Sequence, residues 1–109
     1  MLTNVAPVAT NGVYSDISAG DLATSNGYTV GGATATLSSD GQSSGTYTLT
    51  LNNPVITATG AVGPFQYAVL YDSSASTKVL IAWWNYGSSI SLANTDTFTP
   101  VLGAVLTIA

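Results

Sequence analysis

Phe65-Gln66-Tyr67-Ala68-Val69-Leu70-Tyr71-Asp72, a short polar stretch, then Lys78-Val79-Leu80-Ile81-Ala82-Trp83-Trp84-Asn85-Tyr86 is the part of the chain that decides its fold. Both runs are dense in aromatic and β-branched residues, the types that fit a pleated surface. Both are apolar at odd and even positions alike, so each is expected to be a central strand covered on two faces. Ser73 to Thr77 between them reads as the tip of a hairpin. Such a tip would bring Asp72 and Lys78 near each other as an exposed pair of little energetic weight.

Outward from this pair the chain stays β. Thr46-Tyr47-Thr48-Leu49-Thr50-Leu51 alternates cleanly, with Tyr47, Leu49 and Leu51 on one face. Asn52-Asn53-Pro54 is a turn, and Val55 to Thr59 is a further strand. Tyr28-Thr29-Val30 and Ala33 to Leu37 read as strand pieces around a Gly31-Gly32 break. Ser38 to Gly45 reads as a polar loop centred on Asp40-Gly41. Gly87 to Asn94 should hold a turn and the short piece Ile90-Ser91-Leu92. Asp96 to Thr99 and Ala104 to Ile108 finish the chain. Short strands with frequent turn signals predict an all-β fold, an antiparallel sandwich or barrel of about 7–8 strands.

Two regions depart from this pattern. Residues 1–14 have no clean period and read as an extended N-terminal arm or a first edge strand, preceding one sandwich domain over 15–109. Ser18-Ala19-Gly20-Asp21 reads as a capping box, which predicts a short helix near 18–26. Gly27 would end that helix. A rival reading makes Asn26-Gly27 a hairpin turn.

Composition narrows function. The 109 residues include no Glu, Arg, His or Cys, and the charges are five Asp and Lys78, for a net −4. Apolar residues make up 46% and charged residues 6%, against a usual quarter charged. Without His no side chain titrates near neutrality unperturbed, without Cys there is no thiolate, and without Arg there is no bidentate anion fork. An enzyme is therefore not expected, and no cofactor or metal. One cation gives no basic footprint for nucleic acid and no polybasic signal for anionic membranes. No apolar run is long enough for a spanning helix, and Met1-Leu2-Thr3-Asn4 opens no signal peptide. A lone soluble domain usually carries many mixed charges. Their absence is read as surface buried in an oligomer, in preference to solvation by Ser and Thr hydroxyls alone.

Candidate sites are few. Asp16 and Asp21 with Asn26 lack the oxygen count and loop spacing of a calcium site, and helix capping is the preferred reading. No carboxylate pair shares a strand face as a glycosidase would need. No Ser-x-x-Lys spacing surrounds Lys78, so a serine nucleophile has no base. Trp83-Trp84 point to opposite faces of one strand. They could serve the core, a subunit contact or sugar stacking helped by Tyr86.

Residues 67–109 contain, in order, Tyr67-Ala68-Val69-Leu70-Tyr71, Leu80-Ile81-Ala82-Trp83 ending in Tyr86-Gly87, Leu92-Ala93-Asn94-Thr95-Asp96-Thr97-Phe98-Thr99 and Val105-Leu106-Thr107-Ile108-Ala109. Upstream, Asp16-Ile17-Ser18 leads to Gly27-Tyr28-Thr29-Val30-Gly31-Gly32. This succession resembles a family of small tailed-bacteriophage virion structural proteins, and it covers most of the chain. The resemblance implies a building component, not a catalyst. It implies a head decoration (cement) protein, made in the host cytoplasm and carried on the outer head surface, with the major capsid protein and its own copies, as a homotrimer, for partners. The alternative is a tail, neck or fibre component that binds another virion protein or a host glycan. Interface candidates are Val5, Pro7, Val8, Tyr14, Lys78, Trp83, Trp84 and Tyr86, with residues 1–14 lying across neighbouring subunits.

Overall fold

A computed structural model describes residues 1–108. Three antiparallel sheets make it mostly β, and they do not close into the barrel that was one expectation. The first sheet has the order β1 (Leu2–Thr3), β5 (Val62–Tyr71), β6 (Leu80–Leu92), the second β2 (Leu37–Ser43), β3 (Thr46–Leu51), β8 (Gly103–Ile108), and the third joins β4 (Ile56–Thr57) to β7 (Thr97–Phe98). Ala109, which ends the last motif, lies outside the described residues.

The core lies between the first sheet and the β4–β7 ladder. Leu2, Val62, Phe65 and Leu92 meet Ile56, Ala58 and Tyr28, with Phe98 against them. Phe65 is 1% exposed and meets the Phe98 ring edge-on at 5.0 Å between centroids. At about 25 cal/mol per Å² of apolar surface, these few side chains supply most of the hydrophobic drive.

The expected arm does not begin at residue 1. Leu2 pairs with Ala68 and Thr3 with Tyr67, and residues 1–3 are buried. The Leu2 side chain is buried in the core, and that burial holds the strand in place. Only residues 4–12 run as an outer segment, mostly exposed.

The short helix is also displaced. It occupies Tyr14–Ile17 and runs into a 3-10 turn at Ser18–Gly20, where the sequence predicted the start of a helix over 18–26. The physical reason is which carboxylate caps. Asp16 Oδ2 accepts from the backbone N–H of Gly12 and Val13 at 2.9 and 3.1 Å. Those two bonds hold its carboxyl below the usual range. Asp21 is used elsewhere, and the Leu22 N–H donates to Leu2 O at 3.2 Å, which keeps the chain after Gly20 extended. The rival reading of Asn26-Gly27 matches the structure. Ser25 and Tyr28 exchange two backbone bonds at 2.9 Å, and Asn26 and Gly27 take φ of 51° and 92°. A Cβ at Gly27 would strike the Thr57 carbonyl, so the turn also needs glycine for close approach to β4.

Residues 38–43, expected as loop, are strand. The hairpin turns at Ser44-Gly45, whose φ values are 49° and 81°, and Ser43 pairs with Thr46. Asp40-Gly41 is tolerated because β2 is an exposed edge strand throughout. No residue of β2 or β3 is fully buried. The molecule measures 46 × 29 × 27 Å with a radius of gyration of 14.5 Å. A compact domain of this length would have about 13 Å.

Candidate functional site

β6 is where the candidate residues gather. It was expected to be central and covered twice, and the structure corrects that: β5 is central, and β6 is an edge strand exposed at most positions. Trp83 is 46% exposed, Trp84 36% and Tyr86 66%. The pattern of apolar residues on both faces is real, but among the described residues Trp83, Trp84 and Tyr86 are only partly covered.

The two faces differ. Trp83 pairs across from Val69 and meets the Tyr67 ring edge-on at 5.9 Å. Pro7, Val8 and Ala9 of the outer segment, with Leu80 and Ile81, enclose a shallow hollow beside it. Val8 N–H donates to Asn11 Oδ1 at 2.8 Å, which shapes this segment locally. Trp84 pairs across from Ala68 and lines a cleft of about 270 Å³ whose other wall is Pro100, Val101 and Leu102. Tyr86 stands at its mouth.

That mouth is shaped by an irregularity. Phe65 pairs with Ile90 and Tyr67 with Asn85, so Gln66 alone faces residues 86–89. The sequence reads Gly87 as a turn. In the structure it is part of this bulge, with φ of 95° and nothing near its missing Cβ. Asn85 Oδ1 closes the excursion, accepting from the Gly87 N–H at 2.8 Å and from Gln66 Nε2 at 2.9 Å.

Tyr14 and Lys78 come together away from the tryptophans. Tyr14 N–H donates to Lys78 O at 2.9 Å, and Lys78 Nζ lies 5.4 Å from the centre of the Tyr14 ring. Asp72 and Lys78 do not form the expected pair. Asp72 Oδ1 accepts from Ser74 N–H and Ser74 Oγ at 2.9 and 2.6 Å, which holds its carboxyl below the usual range. Val5 lies against Gly20, apart from the other candidates.

Sequence reasoning missed the most connected polar group. Asp21 accepts from Tyr14 OH at 2.7 Å, Tyr28 OH at 2.5 Å and the Gly31 N–H at 2.6 Å. Tyr28 OH in turn accepts from Leu2 N–H at 3.0 Å, and Tyr71 OH donates to Gly31 O at 2.8 Å. The Tyr14 and Tyr71 rings stack at 4.7 Å. Burial, and then the Asp21 carboxylate, push the Tyr14 hydroxyl up to about 12 and the Tyr28 hydroxyl higher. The available signal was Asp21 and Tyr28 on either side of the Asn26-Gly27 turn. This cluster ties β1, the helix and the 25–28 hairpin into one unit. Its Asp21 carboxylate is engaged by three donors in that work, and only its Gly31 and Tyr71 margin borders a surface hollow.

Among the described residues no group of three or more acidic side chains is placed to hold a metal ion. No helix among them is long and apolar enough to cross a membrane. No protein-family model, curated protein or solved structure matches the chain.

Proposed function

We propose that this protein is a non-enzymatic structural component of a tailed-phage virion, a decoration protein that fastens capsid subunits from the outer head surface. The observation that carries the reading is an uncharged edge strand bearing exposed aromatics on both faces, Trp83 on one and Trp84 with Tyr86 on the other. Exposed apolar edge strands invite pairing and aggregation in a free monomer, and natural proteins usually blunt them with charge. Here Ile81 to Ser91 carries none. Patches rich in Trp and Tyr and poor in charge match the cores of protein interfaces. The motif order from Tyr67 onward supports a phage origin.

The geometry supports a division of parts. The Trp83 face, with exposed Val8, is the contact surface, and residues 4–12 are the arm that reaches a neighbouring subunit, with the buried Pro7 anchoring it. Tyr14 and Lys78 lie apart from that surface and are not assigned to it. The sandwich expected from the strand spacing is completed in the assembly, where a neighbour covers the half-buried face of β3. Association as a homotrimer multiplies many modest contacts into high avidity.

The test is co-sedimentation of purified protein with bare phage heads and, separately, with tails. Saturable binding to heads at lattice stoichiometry is expected, and binding only to tails would overturn the decoration reading. Trp83→Ala and the double change Val5→Ser, Val8→Ser should each weaken head binding while the chain stays folded. Deleting residues 1–12 is a poor test, because it removes Leu2 from the core.

A further inference from the structure

The cleft beside Trp84 is concave and two-walled. Trp84 and Tyr86 form one side, Pro100 to Leu102 the other, and Gln66 and Asn85 lie between. At about 270 Å³ it is close to the lower end of small-ligand sites and too small for a docked helix. None of the six charged side chains of the chain lines it.

The two amides are oriented by the backbone. Asn85 Oδ1 faces the Gly87 N–H, a donor with no alternative role, so its identity as oxygen is fixed. Gln66 must then present Nε2 to that same oxygen. Gln66 and Asn85 are both lining residues, and Gln66 Oε1 and Asn85 Nδ2 remain as one acceptor and one donor, neither taken by a hydrogen bond among the described residues. Their spacing is set by a 2.9 Å hydrogen bond. A rigid acceptor–donor pair matches two vicinal hydroxyls, each of which both donates and accepts. An exposed aromatic face matches the C–H face of a pyranose, whose weakly positive hydrogens meet the negative ring face. A lining free of charge matches a neutral ring rather than a sialic or uronic acid.

We propose that the Trp84–Tyr86 cleft binds a neutral saccharide, one or two pyranose rings, stacked on the exposed aromatics and read by the Gln66–Asn85 amide pair. This assigns the two tryptophans different work, since Trp83 faces away from the cleft. The inference does not depend on where in a virion the protein sits.

The experiment titrates the purified chain with methyl glucopyranoside, methyl galactopyranoside, N-acetylglucosamine and sialic acid, following backbone amide shifts by NMR. Saturable binding of at least one neutral sugar is expected with a dissociation constant of about 1 mM, as for a small neutral ligand with few contacts. Shifts should centre on Gln66, Trp84 to Gly87 and Val101. Tyr86→Ala, whose ring packs least, should weaken binding about tenfold, a loss of about 1.4 kcal/mol. Gln66→Ala should do the same, while Trp83→Ala leaves it unchanged. No saturable shift with any neutral sugar overturns the proposal. So does preference for sialic acid, or an equal loss in Trp83→Ala. Displacement of all sugar shifts by a proline-rich peptide that binds more tightly would also overturn it, in favour of a peptide groove.

Discussion

The β1–β5–β6 sheet and the β2–β3–β8 sheet are both antiparallel and three-stranded, yet among the described residues only the first contributes fully buried side chains to a core. β3 has the cleaner alternation of the two central strands, and every one of its residues is half-exposed. β5 alternates poorly, and it carries Val62, Phe65 and Val69 in full burial. Strand propensity and pattern therefore say that a segment is extended and which of its faces is apolar. They do not say whether the covering layer belongs to the same chain. In the first sheet that layer is Ile56, Tyr28 and Phe98. In the second, no layer covers β2 or β3 among the described residues.

This contrast is open to direct attack. Phe65→Ala should cost about 3–5 kcal/mol, the usual range for removing a buried ring. Chemical denaturation measures it, and a loss near zero would mean that the core half is not the seat of stability. Asp21→Ala should come next, at about 3 kcal/mol, because it strands the buried Tyr28 hydroxyl and the Gly31 N–H together. The same cluster sets a pH limit. Tyr14 keeps its proton in the folded chain up to about 12 but loses it near 10 when unfolded. Between those values the unfolded state binds fewer protons, so stability is full below pH 10 and falls as pH rises toward 12. Tyrosinate absorbance followed alongside circular dichroism should show ionisation and unfolding together. In Tyr14→Phe the part of this decline due to Tyr14 should be absent. The smallest effect belongs to the other sheet. Leu49→Ala should cost about 1 kcal/mol or less in the isolated chain, since a half-exposed leucine has little left to lose. A loss as large as that of Phe65→Ala would erase the distinction between the two sheets.

How much of this was legible in the sequence follows the same line. β3 was read with its observed bounds, because Thr46 to Leu51 alternates and is closed by Asn52-Asn53-Pro54. The pairing of β5 with β6 was legible from residue type. The helix was misplaced because Asp16 and Asp21 are both plausible caps, and the choice is made by Leu2 and Tyr28, which lie far off in the chain. Gly87 was read as a turn because a positive φ serves a turn and a bulge equally, and only the register against Gln66 separates them. For the two tryptophans the sequence left core, subunit contact and sugar stacking open, the core reading resting on a strand covered twice. Apolar pattern records that cover exists somewhere, and among the described residues it is only partial. Of the cleft, Trp84 and Tyr86 were visible early, whereas Pro100 to Leu102 opposite them lies too far along the chain for spacing to reveal.

The excursion at residues 86–89 carries a consequence of another kind. Its two ends are pinned, by Asn85 opposite Tyr67 and Ile90 opposite Phe65, and a side chain added at Gly87 would meet nothing. Extra residues placed between Gly87 and Ser89 would lengthen the loop without moving either flank, and each doubling of such a loop costs only about 0.6 kcal/mol. The molecule thus has a tolerant seam beside its most exposed aromatic ring. A grafted epitope or an inherited insertion would be displayed there at little expense to the fold.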